Sequence, residues 1–162
     1  MLTSQLFRKK KVFSFEVFPP KKDSSVSTIY KTLEKLKALS PDYISVTYGA
    51  AGGSSRLSIK IASDVKNIYG IESVAHIPCI DMTKSEVLAE LHELKKDGIE
   101  NILALRGDIN PSVPPKQDFK YASDLIAFIR KHGSFNIIGA CYPEVHPEAK
   151  SAEDDLQNLK MK

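Results

Sequence analysis

Short apolar runs alternate along the chain with segments in which apolar residues recur at helical spacing. The apolar runs are rich in β-branched and aromatic residues and are bounded by Gly, Pro or Asp, which is typical of buried strands. They are VFSFEVF (12–18), YISVTYG (43–49), ESVAHIPCI (72–80), NILALRG (101–107) and FNIIGACYP (135–143). The pattern predicts five strands, each followed by a helix.

Cap residues help to place the predicted helices. Ser24 or Ser25 could cap the first, and Thr83 with Glu86 predicts a capping box for the third. The last helix is expected to open near Glu148. The helical periods are carried by Val26, Ile29, Leu33, Leu36 and Leu39, by Leu57, Ile61, Val65 and Ile68, by Val87, Leu88, Leu91 and Leu94, by Leu125, Ile126 and Ile129, and by Leu156 and Leu159.

Strand and helix alternate at about 30 residues per unit, which implies parallel strands joined by right-handed crossovers. This leaves a doubly wound open sheet or a (β/α) barrel. Polar residues fall at or just past the ends of successive predicted strands, and a ring of this kind is typical of a barrel active site. These residues are Glu16, Thr47, His76, Arg106, Asp108 and Tyr142.

We therefore predict an α/β fold of the (β/α) TIM-type barrel class. A complete barrel has eight units and about 250 residues, whereas this chain supplies about five units in 162 residues. The chain also stops at Lys162 in an amphipathic helix without a Gly or Pro terminator. Residues 1–162 are expected to be the N-terminal part of a single, apparently truncated barrel domain.

Composition narrows the function classes. A hydrophobic content of 42% with 27% charged residues is ordinary for a globular domain. The net charge of +3 is spread over several segments, which argues against nucleic-acid binding. Without a targeting core or an apolar run of membrane-spanning length, a cytoplasmic protein is expected. Cys79 and Cys141 fit no metal or redox spacing and are predicted to be free, buried thiols.

Glu16 is an acid inside an apolar strand that ends at Pro19 and Pro20. Flanking Phe15 and Phe18 would place its carboxyl in a partly apolar pocket, where desolvation raises a carboxyl pKa toward neutrality and suits a general acid. A structural carboxylate that accepts backbone hydrogen bonds is the alternative.

Two glycine-containing segments offer ligand contacts. TYGAAGGSSR (47–56) matches neither a P-loop nor Gly-x-Gly-x-x-Gly, yet its backbone amides lead into a helix with Arg56 on the first turn and could receive a phosphate. A flexible connecting loop is the alternative. ALRGD (104–108) supplies Asp108, which could accept hydrogen bonds from an amine-rich heterocycle or merely cap a turn.

CYPEVHPEA (141–149) gathers several chemically active side chains in a proline-held loop. Its His-x-Glu lacks the Pro-Cys-x-x-Cys of zinc deaminases. A metal hydrolase built from His76, Asp108, Glu144 and His146 is chemically possible, although the spacing is not diagnostic.

Five motifs together resemble the methylenetetrahydrofolate reductase family, in the same order and with similar separations. They are SFEVFPPK, SVTYGAAGGSSR, AHIPCID, NILALRGD and YPEVHPEAKS. The resemblance implies a (β/α) barrel that holds FAD noncovalently, takes hydride from NADH or NADPH, and reduces 5,10-methylenetetrahydrofolate to 5-methyltetrahydrofolate.

The resemblance also implies residue roles. Glu16 would be the acid that promotes opening of the folate's five-membered ring, and Asp108 would lie close to flavin and folate, so both are candidate catalytic and substrate-binding residues. No metal is implied. The positions that match cofactor contacts, with Thr47 matching the nicotinamide contact, are Thr47, Tyr48, Ala50, His76, Arg106, Gly107, Asp108, Ala122, Tyr142, His146, Ala149, Asp155, Asn158 and Lys162.

The family's later strands, which bring a glutamine and a phenylalanine to the folate, have no counterpart in this chain. Flavin binding is thus better supported than turnover, and a non-catalytic flavin-binding remnant is the alternative. An open five-stranded barrel would expose an unpaired strand at each edge, so self-association into a homo-oligomer is expected.

Overall fold

The computed structural model describes residues 1–8, 11–20, 25–49, 55–109 and 114–162. Five strands and six helices alternate in this part of the chain. The strands are β1 Ser14–Val17, β2 Tyr43–Val46, β3 Glu72–Pro78, β4 Asn101–Leu105 and β5 Asn136–Gly139. The helices are α1 Thr3–Leu6, α2 Ser27–Lys37, α3 Ser55–Asn67, α4 Lys84–Lys96, α5 Ala122–His132 and α6 Ala152–Met161.

The strands form one parallel sheet in the order β1-β2-β3-β4-β5. Each strand pairs with the next one along the chain. The segment between two consecutive strands therefore always connects neighbours in the sheet. Glu16 is level with Ser45, and His76 is level with Leu103. The α/β fold with five alternating units is as the sequence predicts.

The main core lies between the sheet and the helices α2 to α5. Alternate strand residues such as Ile44, Val46 and Ile102 point into it, because side chains on a strand alternate between faces. The helices meet them with Ile61, Val65, Leu91, Leu94, Leu125 and Ile129, all nearly fully buried. The period of the apolar helix positions thus decides which helix face covers the sheet.

The other face of the sheet is polar near the beginning of the strands. Asn101 is fully buried there, and its Nδ2 donates to Glu72 Oε1 at 3.2 Å. Its Oδ1 accepts from the backbone of Thr3 and from Asn136 Nδ2, each at 2.9 Å. The short helix α1, which the sequence analysis did not predict, therefore covers this end of the strands.

The predicted helix caps and helix starts agree with the structure only in part. Thr83 and Glu86 form the expected capping box. Ser24 lies outside the described residues, and Ser25 Oγ accepts from the Ser27 N–H at 3.3 Å just before α2. The predicted opening of the last helix near Glu148 is wrong, because α6 begins at Ala152 after Ser151.

Within the described ranges, no helix has the length and apolar character needed to cross a membrane.

Candidate functional site

The C-terminal ends of the strands carry the polar residues that the sequence analysis placed there. Glu16 lies on β1 and His76 on β3, Thr47 follows β2, Arg106 follows β4, and Tyr142 lies three residues past β5. Since all five strands are parallel, these positions lie at the same end of the sheet, where the strands finish. Their individual roles remain predictions.

Glu16, Ser45 and His76 form a cluster across three adjacent strands. Ser45 is the register partner of Glu16, and its Oγ donates to Glu16 Oε2 at 3.3 Å. The same carboxylate oxygen lies 3.5 Å from His76 Nε2. The Ser45 hydroxyl thus holds one carboxylate oxygen of Glu16, and the imidazole of His76 lies beside that oxygen.

The predicted burial of Glu16 is wrong in this structure. Its side chain is 48% exposed, and Phe18, expected to wall the pocket, is itself 68% exposed. The reason is topological, because β1 is an edge strand with a neighbour only on its β2 side in the described sheet. Neither backbone hydrogen bonds nor apolar walls enclose the acid, so the described part of the chain leaves it open to solvent.

His76 is the buried member of the cluster, with its side chain only 6% exposed. Burial lowers the pKa of His76, and the nearby Glu16 carboxylate partly opposes that shift. The imidazole is therefore neutral near pH 7. Its Nε2 makes no hydrogen bond to another described residue. A buried ring nitrogen without a partner at the strand ends fits a polar ligand atom.

Arg106 follows β4 and binds Glu148 through both of its terminal nitrogens, at 2.6 and 2.7 Å. This paired hydrogen bond raises the pKa of Arg106 and lowers that of Glu148. Asp108, which is exposed, adds a favourable charge interaction with the guanidinium. The guanidinium at the strand ends is thus already paired with a carboxylate, and an anionic ligand group would share it with Glu148 or displace that side chain.

Gly107 adopts a φ of 87°, in the left-handed region that side chains disfavour. A Cβ at this position would lie 3.0 Å from Pro78 Cβ and 3.2 Å from Ile80 Cγ2. The glycine was predicted to let a ligand approach the backbone. The structure shows that it also lets the exit of β4 pack against the exit of β3.

The segment after β5 turns sharply between Tyr142 and His146. Val145 has a φ of 113°, which is strained for a β-branched residue. The rings of Tyr142 and His146 meet edge to face with centroids 4.8 Å apart. His146 donates its backbone N–H to Asp155 Oδ2 at 2.9 Å, which ties this turn to α6. Ala149 closes the turn with its N–H on His146 O.

The remaining predicted cofactor positions follow the strands and lie in α5, in α6 and in the glycine-rich segment. Lys162 Nζ donates to Ala140 O at 2.9 Å, and its side chain crosses the face of Gly139. Asn158 lies one turn earlier on α6 and contacts Asp154. Ala122 is buried at the first position of α5. Ala50 lies outside the described residues, as do residues 51–54 of the glycine-rich segment.

Tyr48 points away from the Glu16 cluster. Its hydroxyl donates to Glu90 Oε1 of α4 at 2.8 Å. It lines a groove of about 1170 Å³ between α3 and α4, together with Arg56, Asp81 and Met82. This groove is large and lies mainly between the two helices, and it reaches the strand ends at Tyr48 and at Asp81 and Met82 after β3.

The described residues contain no group of three His, Cys, Asp or Glu side chains placed to hold a metal ion. The proposed set of His76, Asp108, Glu144 and His146 therefore gains no support as a metal hydrolase site. The two cysteines are free, as predicted, and Cys79 is buried. The predicted burial of Cys141 is wrong, because the edge strand β5 leaves the residues that follow it exposed.

Sequence reasoning missed two residues of the site, Ser45 and Glu90, and the partner of a third, Glu148. Ser45 stands two positions before Thr47 on the same strand face, so the alternation of strand side chains could have identified it. Glu148 pairs with Arg106 across 42 residues, which no local pattern indicates. Glu90 is an acid on the apolar face of α4 and could have been identified by that position.

A wall of parallel strands with covering helices, and with polar side chains at the carboxyl ends, defines an α/β protein of the (β/α) barrel class. The sequence profile of the Methylenetetrahydrofolate reductase family matches residues 2–162, so the chain belongs to this family.

Two relatives show the extent of the similarity. The chain is 42% identical to the 5,10-methylenetetrahydrofolate reductase of Escherichia coli K12, over 92% of this chain and 50% of that protein. It is 35% identical to methylenetetrahydrofolate reductase (NADH) 1 of Zea mays, over 93% of this chain and 28% of that protein. The chain thus spans half the length, or less, of these curated relatives.

A solved structure supports the fold. The 4-hydroxy-tetrahydrodipicolinate synthase of Methylacidiphilum fumariolicum SolV superposes with a TM-score of 0.59 at 17% identity, over 83% of this chain and 45% of that one. The likeness at this identity concerns the barrel architecture alone.

Proposed function

We propose that residues 1–162 form the FAD-binding N-terminal part of a single-barrel 5,10-methylenetetrahydrofolate reductase. The complete enzyme would use NADH or NADPH to reduce 5,10-methylenetetrahydrofolate to 5-methyltetrahydrofolate, in the cytoplasm. Family membership supports the reaction class. The grouping of Glu16, His76 and Arg106 at the C-terminal ends of the strands supports the location of the site.

The residues at the strand ends fit FAD. His76 Nε2 is buried and free to meet a polar atom of the isoalloxazine or ribityl chain. Arg106 and Lys162 supply positive charge for the diphosphate, and the strained turn at Val145 holds Tyr142 and His146 beside them. When bound, FAD accepts a hydride from the nicotinamide and passes it to the folate. Thr47 would contact the nicotinamide.

Glu16 would hold the proton for the folate step. Its carboxyl would protonate a nitrogen of the five-membered ring and so promote ring opening to the iminium that is reduced. Ser45 supports this role because its hydroxyl donates to one carboxylate oxygen, and His76 Nε2 lies 3.5 Å from the same oxygen. Ligands bound over the strand ends would exclude water from the acid.

Asp108 would bind the folate ring and influence the flavin. It is exposed beside Arg106, so its carboxylate is available to the amine-rich edge of a pterin.

The observation that carries the proposal is the Glu16, Ser45 and His76 cluster beside Arg106 on a chain of this family. The first test is a titration of the purified 162-residue chain with FAD, followed by quenching of flavin fluorescence. Arg106→Ala should weaken binding by about tenfold or more, since it removes a charge-assisted contact. Arg130→Ala, an exposed arginine in the last turn of α5, is the matched control. Absence of flavin binding by the unmodified chain would overturn the proposal.

The second candidate function is a flavin-binding remnant without turnover. It is favoured by one observation, that the Glu16 side chain is 48% exposed and lacks the apolar enclosure expected of a general acid. Reduction of the bound FAD by NADH, followed by reoxidation with methylenetetrahydrofolate, separates the two. A remnant would bind FAD and fail to reoxidise it with the folate.

We also propose that the chain forms a homo-oligomer. The sheet has strands β1 and β5 at its edges, and such edges pair readily with another chain. Sedimentation velocity at several concentrations tests this, and a monomer at every concentration contradicts it.

A further inference from the structure

Glu90 is a buried acid that neither the core nor the proposed chemistry explains. It lies on α4 between Val87 and Leu91, on the helix face that covers the sheet, and only 8% of its surface is exposed. Burying a carboxylate is costly unless it accepts hydrogen bonds. The apolar period of α4 would place a leucine or valine at this position, so an acid there indicates a specific partner.

That partner is Tyr48, the residue that follows Thr47 at the exit of β2. The Tyr48 hydroxyl donates to Glu90 Oε1 at 2.8 Å, across 42 residues of sequence. The next residue is fixed as well, because the Gly49 N–H donates to Ser58 Oγ of α3 at 3.1 Å. Thr47 donates its own N–H to Val17 O of β1 at 3.0 Å. Each residue of the segment 47–49 therefore has a different anchor.

We infer that Glu90 is a positioning residue, which holds Tyr48 and with it the exit of β2 in the conformation that receives the flavin. The inference rests on the proposed function, in which Thr47 contacts the nicotinamide, and on the match of Tyr48 to a cofactor-binding position of the family. Glu90 itself would not touch the flavin. It would act by keeping the segment 47–49 in its binding conformation before the ligand arrives, because affinity falls in proportion to the fraction of molecules that are binding-competent.

A purely structural role for Glu90 predicts a different result. In that case its removal would lower the stability of the whole domain and affect flavin binding only through unfolding. Positioning predicts a local effect, which appears in flavin affinity and in the exchange of the Gly49 amide while the melting temperature stays the same or falls slightly. It also predicts that Tyr48 and Glu90 act through one hydrogen bond.

The experiment compares Glu90→Ala, Glu90→Gln, Tyr48→Phe and the double variant Glu90→Ala with Tyr48→Phe. Glu93→Ala is the matched control, since Glu93 is an exposed glutamate on the same helix. FAD affinity is measured by fluorescence quenching, and hydrogen exchange of the Gly49 amide is measured without flavin. Loss of one typical protein hydrogen bond corresponds to an effect of about fivefold.

Glu90→Ala and Tyr48→Phe should each weaken FAD binding about fivefold and speed exchange at Gly49 by a similar factor. The double variant should be no worse than either single one, since both remove the same bond. Glu90→Gln should retain most of the affinity, because its amide oxygen can still accept from the tyrosine. Glu93→Ala should match the unmodified chain.

The inference is overturned if Tyr48→Phe binds FAD as tightly as the unmodified chain, or if the two single effects multiply in the double variant. Should Glu90→Ala unfold, Tyr48→Phe and Glu90→Gln still decide the question. If the unmodified chain binds no FAD, the proposed function fails, whereas unchanged Gly49 exchange in Tyr48→Phe would show separately that the bond to Glu90 does not hold the segment.

Discussion

His76 Nε2 lies 3.5 Å from Glu16 Oε2, across the intervening strand β2. The two side chains differ sharply in exposure, at 6% for the imidazole and 48% for the carboxylate. Burial lowers the pKa of His76 despite the neighbouring acid. The pair is therefore a neutral buried base beside an accessible acid, and it becomes an ion pair only when the solution is acidic enough to protonate the imidazole.

The first prediction concerns Glu16 in a completed barrel, made by joining this chain to the C-terminal half of the E. coli relative. Glu16→Gln should still bind FAD and be reduced by the nicotinamide cofactor, because neither step needs the proton. Folate reduction should slow by about 10²–10⁴-fold, the usual contribution of a general acid. Stopped-flow absorbance measures the two half-reactions separately. Wild-type rates in both would show that Glu16 is not the acid.

The second prediction concerns the pH dependence of stability from His76. A buried histidine with a lowered pKa opposes protonation of the folded state, so stability is unaffected above the ordinary value of 6.5 and falls as the pH drops below it. His76→Gln removes this loss. Urea unfolding between pH 5 and 8 should show the difference between wild type and variant changing only below about pH 6.5. A difference that is constant over this range would mean that His76 does not titrate differently on folding.

The polar residues at the strand ends were predicted well from the sequence because two simple patterns determine them. One is the alternation of side chains along a strand, and the other is the alternation of strand and helix along the chain. Alternation along β1 and β3 puts Glu16 and His76 on the same face of the sheet. The parallel order then brings both to the end of the sheet where the strands finish. Solvent access is a different matter, since it depends on what lies beyond β1. An apolar run predicts a strand equally well in the middle of a sheet or at its edge, which is why the burial of Glu16 was predicted wrongly.

Long-range ion pairs explain a second group of errors. Glu148 was expected to open the last helix, but it binds Arg106 instead, and Ser151 caps α6 by accepting from the Asp154 N–H. In the sequence, a glutamate before apolar residues at helical spacing predicts the start of a helix, because a distant partner of its side chain cannot be recognised. The partner lies 42 residues away, and only the fold brings the two together. The hydrogen bond between Tyr48 and Glu90 likewise joins residues 42 positions apart.

The third prediction uses the two thiols. Burial raises the pKa of Cys79 to about 12, and its thiol contacts Tyr121 O. At pH 8 only about 10⁻⁴ of it would be thiolate, the reactive form, whereas Cys141 is exposed. One thiol per chain should react rapidly with Ellman's reagent, and the second only after unfolding. Cys141→Ser should abolish the fast reaction. Fast labelling of Cys79 in that variant would contradict the burial.

The fourth prediction concerns the capping box of α4. Hydrogen bonds from Lys116 and from Thr83 lower the pKa of Glu86 to about 2. A lowered carboxyl pKa stabilises the fold above the ordinary value of 4.5 and loses that effect as the pH falls toward about 2. The destabilisation by Glu86→Gln should therefore be largest above pH 5 and shrink on acidification. Its size should stay near about 1 kcal/mol, because the side chain is half exposed and well screened.

Chemical denaturation at pH 3, 4, 5 and 7 measures this effect. Glu93→Gln, a substitution on the same helix at an exposed position outside the capping box, is the control. A pH-independent effect of Glu86→Gln would show that the hydrogen bonds do not distinguish the two protonation states.

The last prediction is that the 162-residue chain alone binds FAD but reduces methylenetetrahydrofolate very slowly. The site residues at the strand ends come from one side of the sheet, and β1 leaves Glu16 open to water. Orientation of bound reactants contributes roughly 7–11 kcal/mol to lowering a barrier, so a substrate held on one side should react orders of magnitude more slowly. Adding the C-terminal half of the E. coli relative as a separate polypeptide should cover the edges and restore part of the rate. Single-turnover folate reduction by the FAD-loaded chain, compared with the full-length E. coli protein, is the measurement. A rate within about tenfold, or 1.4 kcal/mol, would show that these five units suffice for the reaction.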